Sequence, residues 1–477
     1  MSITEVRQVL LPQNPFILGK YSSRPAPQHV LNGFIARSIG ISDRGVEIRH
    51  LISDGPMPSG FRFVDEANWK NDPAKVSSLR NDLKHVFDPD HRTWKDFGSP
   101  VIVHALLANS DPSDQNFGPL IWELMKKFAA SEYEENLTAL FIPGTIRDPL
   151  TACAMILVEG ASLERVRGGS TSTSNWYSDP TNLAGALLGS RLSKFLERLT
   201  RPIEGPKRLL QIQHLERGLY LTVILSLMLG PLTYVAGDQV ESVDEIGSMI
   251  VWADSPPGSM GHPMVTASVR SLQLLIERAR AALSLSLANA LAAQPIPSGL
   301  PENQKLRFAL AEQLGMPAAE ANEVIDRLCE DAKVSSDALP GDRTWSTQVV
   351  DSSFTADELT RGLRHMGNKI GFIGPGRGGG PPRFVCETPL LGTLVAGLCP
   401  VDGMEFSEFV DRARKELGLI FGPGTNDDLA EHLDLWEGSG VGGRILRDNQ
   451  EALRRRLVRA GLAREYSDGH TEVIYDA

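Results

Sequence analysis

A chain of 477 residues, 42% hydrophobic and 22% charged, has the composition of a soluble globular protein and the length for about three domains. Its formal net charge of −11 excludes a nucleic-acid coat along the whole chain, so any such contact is confined to a local basic face or shared with a basic partner. The four cysteines, Cys153, Cys329, Cys386 and Cys399, form no C-x-x-C pair and have the spacing of neither a zinc site nor a disulfide scaffold. A reducing, cytoplasmic setting is expected, and Met-Ser-Ile-Thr-Glu-Val-Arg at the start lacks the pattern of a signal peptide.

Residues 1–165 read as a mixed α/β domain. Strands are expected over Val46–Ile52, Phe61–Val64 and Pro100–Leu106. A helix is expected over Leu120–Ala130, and Leu137–Ile142 fits either helix or strand. His85, Asp88, Asp90 and His91 cluster within seven residues, but the Asp-Pro-Asp turn would splay them, so a capped turn is preferred over a metal site. Asp65, Glu66 and Lys70 have no specific spacing, and His104 and His262 stand alone. No serine elbow, Walker or Rossmann fingerprint occurs. No catalytic residue, metal or cofactor is assigned, and a non-enzymatic role is favoured.

Residues 166–295 read as a helical domain that opens on the polar loop Gly168–Tyr177. Gly218–Gly237 carries no charge and is long enough to span a membrane, but Gly230-Pro231 breaks it and Thr222, Ser226 and Thr233 are polar. A buried core helix is expected, with no membrane as partner. From Val265 to Ala293, apolar residues at 265, 269, 272, 276, 279, 283 and 287 form a 4-3-4-3 seam, read as intramolecular packing in preference to a dimer seam. Gln294–Pro301 is the clearest linker.

Residues 300–400 begin with two helices over Asn303–Leu328, joined at Gly315, and a third over Thr355–Met366. The strand Lys369–Ile373, the glycine loop Gly374–Gly380 and the strand Arg383–Glu387 follow. The loop has no Gly-Lys-Ser/Thr ending and opens no helix, so a wing tip carrying Arg377 is preferred over a phosphate cradle. Arg361, Arg364 and Lys369, with His365, give the third helix a basic face.

Residues 403–477 carry the strongest pattern. A helical period runs from Phe406 to Leu417, Leu419–Phe421 is a short strand candidate, and Asn426–Trp436 is a capped helix. The insertion Glu437–Gly443 precedes a last helix that starts at Asp448. There Leu453, Leu457 and Ala460 share one face, Arg455 and Arg459 lie opposite, and Arg454 and Arg456 flank them. Gly461 is a left-handed stop. Leu462–Tyr466 and Thr471–Tyr475 are strand-like, with Arg464 on the first and Asp468-Gly469 as a two-residue turn. That register sets Glu465 opposite Glu472, an unfavourable pair.

The order helix, strand, helix, Gly-rich loop, arginine helix, hairpin resembles the winged-helix superfamily over residues 403–476. The phrase Leu453-Arg-Arg-Arg-Leu-Val-Arg-Ala-Gly-Leu-Ala-Arg-Glu-Tyr-Ser-Asp-Gly469 carries the resemblance. It is a likeness of fold, with residues 300–400 as a second, more divergent copy. The expected fold class is therefore mainly α with small β: a mixed N-terminal region, a helical middle and tandem winged-helix-like C-terminal domains. The resemblance implies duplex DNA as a partner of Arg454, Arg455, Arg456, Arg459, Arg464, Arg377, Arg361, Arg364 and Lys369. Arginines without Asn or Gln partners favour phosphate contact over base reading. The expected function is a DNA-associated subunit of a bacterial-type DNA-processing or phage-defence assembly, in contact with other protein subunits. The alternatives are a purely architectural interaction scaffold, or a nuclease or other enzyme with a site in residues 1–290.

Overall fold

The computed structural model describes residues 26–52, 72–87, 103–108, 117–146, 148–164, 181–201, 207–236, 239–253, 262–292, 356–375, 380–425 and 442–475, with a few single positions between 57 and 65. The fold is mainly α with small β. The helices are α1 (Pro27–Ser38), α2 (Gly45–Ile52), α3 (Pro73–Phe87), α4 (Phe117–Phe128), α5 (Glu132–Phe141), α6 (Pro149–Leu157), α7 (Leu183–Thr200), α8 (Arg208–Leu229), α9 (Val243–Ile246), α10 (Pro263–Ala292), α11 (Ala356–Ile370), α12 (Thr388–Leu398), α13 (Phe406–Leu417) and α14 (Gly443–Arg459). The strands are two or three residues each: β1 (Ile41–Ser42), β2 (Leu163–Glu164), β3 (Met249–Ile250), β4 (Ile373–Gly374), β5 (Arg383–Phe384), β6 (Met404–Glu405), β7 (Leu419–Ile420), β8 (Ala463–Glu465) and β9 (Thr471–Val473).

Helix α8 is the axis of the core. It has no polar face because it is covered on all sides, by α1, α4, α7, α10, α11 and α12. Gly230 ends it, and Pro231 opens a single 3-10 turn to Tyr234, whose Thr233 hydroxyl donates to the Gly230 carbonyl at 2.7 Å. The segment is long and apolar enough to cross a membrane by composition, and its apolar window is almost wholly buried inside the protein. Helix α10 packs beside it. Its seam residues Val265, Leu272, Ile276 and Ala279 are buried in the protein's own core.

Two of the short strands, β3 and β5, hang on α10. The Ser271 hydroxyl donates to the Ser248 carbonyl and accepts from Ile250 N–H, both at 3.1 Å, and the Ser268 hydroxyl donates to the Phe384 carbonyl at 2.8 Å. Strand β3 pairs in parallel with β7, and a Trp252–Val385 bridge continues it toward the antiparallel pair β4–β5. Leu419–Ile420 is thus a strand as expected, but it belongs to this ribbon and not to the C-terminal hairpin.

One apolar cluster runs from Val30 to Val473 and includes buried residues of all four segments anticipated from the sequence. Polar ties cross the same divisions. Arg198 of α7 holds Glu416 of α13 at 2.7 and 3.3 Å and the Gly397 carbonyl of α12 at 3.1 Å. Arg414 of α13 holds Asp244 of α9 at 2.9 Å.

Two N-terminal expectations are corrected. Val46–Ile52 lies in helix α2, because the buried residues are Ile48 and Leu51 while Val46 is 66% exposed: the spacing of three won over the alternation. Residues 105–107 form a 3-10 turn capped by the His104 ring, which accepts from Leu106 N–H at 3.1 Å, so the described part of Pro100–Leu106 is no strand. The ambiguous 137–142 stretch lies mostly in helix α5. Most of 61–64, the loop 168–177, the linker 294–301 and the helices expected over 303–328 and 426–436 lie outside the described residues.

Candidate nucleic-acid interface

Helix α14 begins at Gly443, five residues before the expected Asp448. Its buried face is Leu446, Asn449, Ala452, Leu453 and Leu457; Ala460, expected on that face, is exposed at the C-cap. Gly461 stops the helix at φ +72°: its N–H donates to Val458 O at 3.1 Å, and Leu462 N–H donates to Leu457 O at 2.9 Å. That pair of bonds is the Schellman arrangement, and it satisfies carbonyls the helix would otherwise leave open.

The hairpin that follows differs from expectation in its turn. Gly469 N–H donates to Tyr466 O at 3.0 Å, Tyr466 N–H donates to His470 O at 2.9 Å, and Gly469 takes φ +85°. The loop is therefore three residues, a tight turn followed by a left-handed glycine, and not the two-residue Asp-Gly turn. One extra loop residue slips the register by one. Arg464 now faces Glu472, and Glu465 faces Thr471, so the expected Glu465–Glu472 opposition does not form. The third strand is β6, which the sequence did not reveal, and the sheet order is β6-β9-β8. Glu405 faces Glu472 across β6–β9, and each carboxylate has its own donors. Glu405 caps α13 by accepting from Ser407 N–H at 2.7 Å and Glu408 N–H at 3.1 Å, and Glu472 accepts from the Tyr466 hydroxyl at 2.7 Å.

The nine cations expected to contact DNA separate into groups. Arg454 is consumed by structure: it holds Glu451 at 2.6 and 2.8 Å and Glu465 at 2.5 Å, strapping the helix to the hairpin. Bonds to these two carboxylates raise its pKa, and the bond to Arg454 lowers that of Glu451. Arg456 turns inward and donates to the Ala253 carbonyl. Arg364 is half-buried on α11 and donates to Pro375 O at 3.1 Å. Lys369 is half-buried, and Arg377 lies outside the described residues. Arg455, Arg459, Arg464 and Arg361 are exposed.

Because α14 starts early, it also exposes Arg444 and Arg447, which the sequence reading left out. At about 100° per residue, Arg444, Arg447, Arg455 and Arg459 fall within an arc of roughly 120° centred opposite the buried face. Asp448 and Glu451 share that arc. Arg444 Nε lies 4.0 Å from Asp448 Oδ2, a solvated pair that leaves the guanidinium 92% exposed.

Polar clips fix which way this face looks. Asn449, 4% exposed, accepts from Ala253 N–H at 2.9 Å and donates to Val251 O at 2.9 Å and Phe421 O at 2.7 Å. Next to it, Gln450 Oε1 accepts from Gly424 N–H at 2.9 Å. Together with Arg456, these side chains bind α14 to the chain leaving β3 and the chain leaving β7. Rotating the helix would break all of them at once.

The other chemical candidates have structural duties. The His262 ring accepts from Met264 N–H at 3.2 Å at the start of α10 and stacks on Trp252. Asp65 accepts from Gly60 N–H at 2.9 Å, and Glu66, Lys70, Asp88, Asp90 and His91 lie outside the described residues. Cys386 and Cys399 are buried thiols pushed up to about 12 by desolvation, which makes them inert. Among the described residues, no group of three or more His, Cys, Asp or Glu side chains could hold a metal ion. No family model matches this chain, and neither a curated protein nor a solved structure matches it.

Proposed function

We propose that this protein is a DNA-associated, non-catalytic subunit of a larger DNA-processing or defence assembly, and that it grips the DNA backbone without reading sequence. The observation that carries the reading is the exposed arginine face of α14 on a chain of net charge −11. In so acidic a chain, four guanidiniums on one face of one helix are a local anion-binding surface. Further support comes from the path of the chain. Over 403–476 the described chain runs β6, α13, β7, α14, β8, β9, so helix, strand, arginine helix and hairpin follow one another in the order on which the winged-helix resemblance rests, the expected helix over 426–436 lying outside the described residues. Arginine without an accompanying exposed Asn or Gln on that face favours phosphate contact.

A second reading, an architectural scaffold, is favoured by the hairpin. It exposes Glu465 and Asp468, beside the half-buried Glu472, against Arg464, a balance that repels phosphate and suits a basic protein surface. The two readings separate in one experiment. Fluorescence anisotropy of a labelled duplex is measured with the full chain and with Arg455→Glu/Arg459→Glu. The DNA reading expects binding by the wild type that the double charge reversal abolishes. Equal binding by both proteins sinks α14 as the contact, and no binding by either leaves the scaffold.

A further inference from the structure

Helix α6 is apolar on both sides. Its core side is Thr151, Ala154 and Leu157, all buried. At about 100° per residue, Pro149, Ala152, Cys153, Met155 and Ile156 fill the opposite arc, and all five are exposed. Pro149, Ala152, Cys153 and Ile156 recur at the i, i+3, i+4, i+7 spacing by which a helix usually buries a stripe, yet this stripe faces solvent. Met155 is 36% exposed and Ile156 49%, and Ile146, just before the helix, is 45% exposed. From Pro149 to Val158 no residue carries a charge. The helix cannot roll to hide the stripe. At its start Asp148 accepts from Thr151 N–H at 2.7 Å, and Arg208 of α8 donates to Thr151 Oγ1 at 2.6 Å and to Asp148 Oδ2 at 3.3 Å. A fixed, uncharged, apolar helix face in water marks an association surface.

We propose that this face is the contact between two copies of the chain, packed α6 on α6 about a two-fold axis. Charge selects a second copy. A chain of net charge −11 repels itself, so a self-contact needs a face that brings no like charges together, and the exposed arc of α6 brings none. A two-fold contact sets one patch against itself, and an uncharged stripe meets that condition without any complementary surface elsewhere. The spacing agrees. The midpoint of the stripe is Ala152-Cys153, two small side chains at the point where the helices cross, with Pro149 and Ile156 on either side. Small side chains at a crossing let the two axes approach closely. Area sets the strength. A nine-residue helix is about 13.5 Å long and about 10 Å across, so each copy loses on the order of a few hundred Å² to the contact, against about 800 Å² per partner in a stable complex. The dimer is therefore weak and depends on concentration. It is independent of the DNA contact, but in the dimer any other binding surface is present twice and acts through effective concentration.

The test is sedimentation velocity of the full chain over a concentration series into the millimolar range, with Ile156→Asp as the disrupting variant. Ile156 is exposed, and a melting curve matching the wild type establishes that the variant folds. The wild type is expected to move from monomer toward dimer as concentration rises. Ile156→Asp puts an unpaired carboxylate on each side of the axis, so it counts twice and is expected to lower the association constant by about tenfold or more. Cys153 reports the position of the contact. A short bismaleimide is expected to link the chain to its copy, and Cys153→Ser is expected to abolish that link. A dimer that Ile156→Asp leaves unchanged overturns the proposal, as does a link that survives Cys153→Ser. A wild type that stays monomeric throughout overturns it as well. Free alkylation of Cys153 in that monomer would leave the face to a different protein, and resistance to alkylation would mean that the chain covers its own stripe. None of these outcomes touches the DNA reading.

Discussion

Glu216 offers the sharpest test of the core. It sits in the middle of α8, 3% exposed, and among the described residues its Oε2 has no hydrogen-bond partner. Desolvation pushes its pKa up to about 8 from the ordinary 4.5 of a glutamate, against a smaller opposing pull from Arg217. The folded protein therefore keeps this acid protonated while the unfolded chain ionises. A folded pKa above the unfolded one gives a stability contribution that is fully present below pH 4.5 and is lost as pH rises toward 8. The loss accrues at about 1.4 kcal/mol per pH unit, which is roughly 3 kcal/mol by pH 7 and about 5 kcal/mol once both states are ionised. Glu216→Gln removes the titration and keeps the shape. Denaturant unfolding of both proteins at pH 5, 6, 7 and 8 should show the variant gaining on the wild type by about 1.4 kcal/mol per unit. Parallel stability profiles for the two proteins would refute the reasoning, because they would mean that the carboxylate is solvated or paired in the folded state.

Other outcomes follow from the ties between segments. Arg198→Ala leaves the buried Glu416 with only the more distant Arg412 at 3.9 Å and should cost about 3 kcal/mol in denaturant unfolding, the low end for a broken buried pair, with Glu416→Gln added on top recovering part of the loss. Asn449→Leu leaves Ala253 N–H and the Val251 and Phe421 carbonyls unsatisfied in the interior. At about 1–3 kcal/mol for each such group, the loss should reach about 3 kcal/mol or more, read in the same assay. A methyl group at Gly397 would run into the Phe195 ring, so Gly397→Ala should lower stability by about 1–3 kcal/mol, seen as a lower thermal midpoint.

Long helices with a consistent period were legible. Helix α10 was anticipated over 265–293 and runs over 263–292, and α13 was anticipated at its observed bounds, Phe406–Leu417. The glycine stops at Gly461 and at Gly230-Pro231 were legible because local backbone geometry alone sets them. Alternation failed at Val46–Ile52, where seven residues fit two periods and only the burial of Ile48 and Leu51 decides between them. The hairpin register failed by one residue because Asp-Gly serves both two- and three-residue loops.

The candidate interface was legible as a cluster and not in its membership. Three consecutive arginines in a helix point three ways, and what lies there is tertiary. Arg456 meets a carbonyl contributed from residue 253, and Arg454 is claimed by Glu451 and Glu465. Conversely, Arg444 and Arg447 were hidden by a helix start placed at the capping residues Asp448-Asn449. In the fold those side chains lie inside the helix, and Asn449 spends its amide on strand ends about two hundred residues away in the chain for Val251 and Ala253.

The central claim, that the arginine face of α14 grips duplex phosphates, is tested most directly by the salt dependence of duplex binding by the full wild-type chain. Four arginine–phosphate contacts predict a slope of log Kobs against log salt of roughly −3.6. Binding whose slope is near zero, or no duplex binding at low salt, would contradict the account.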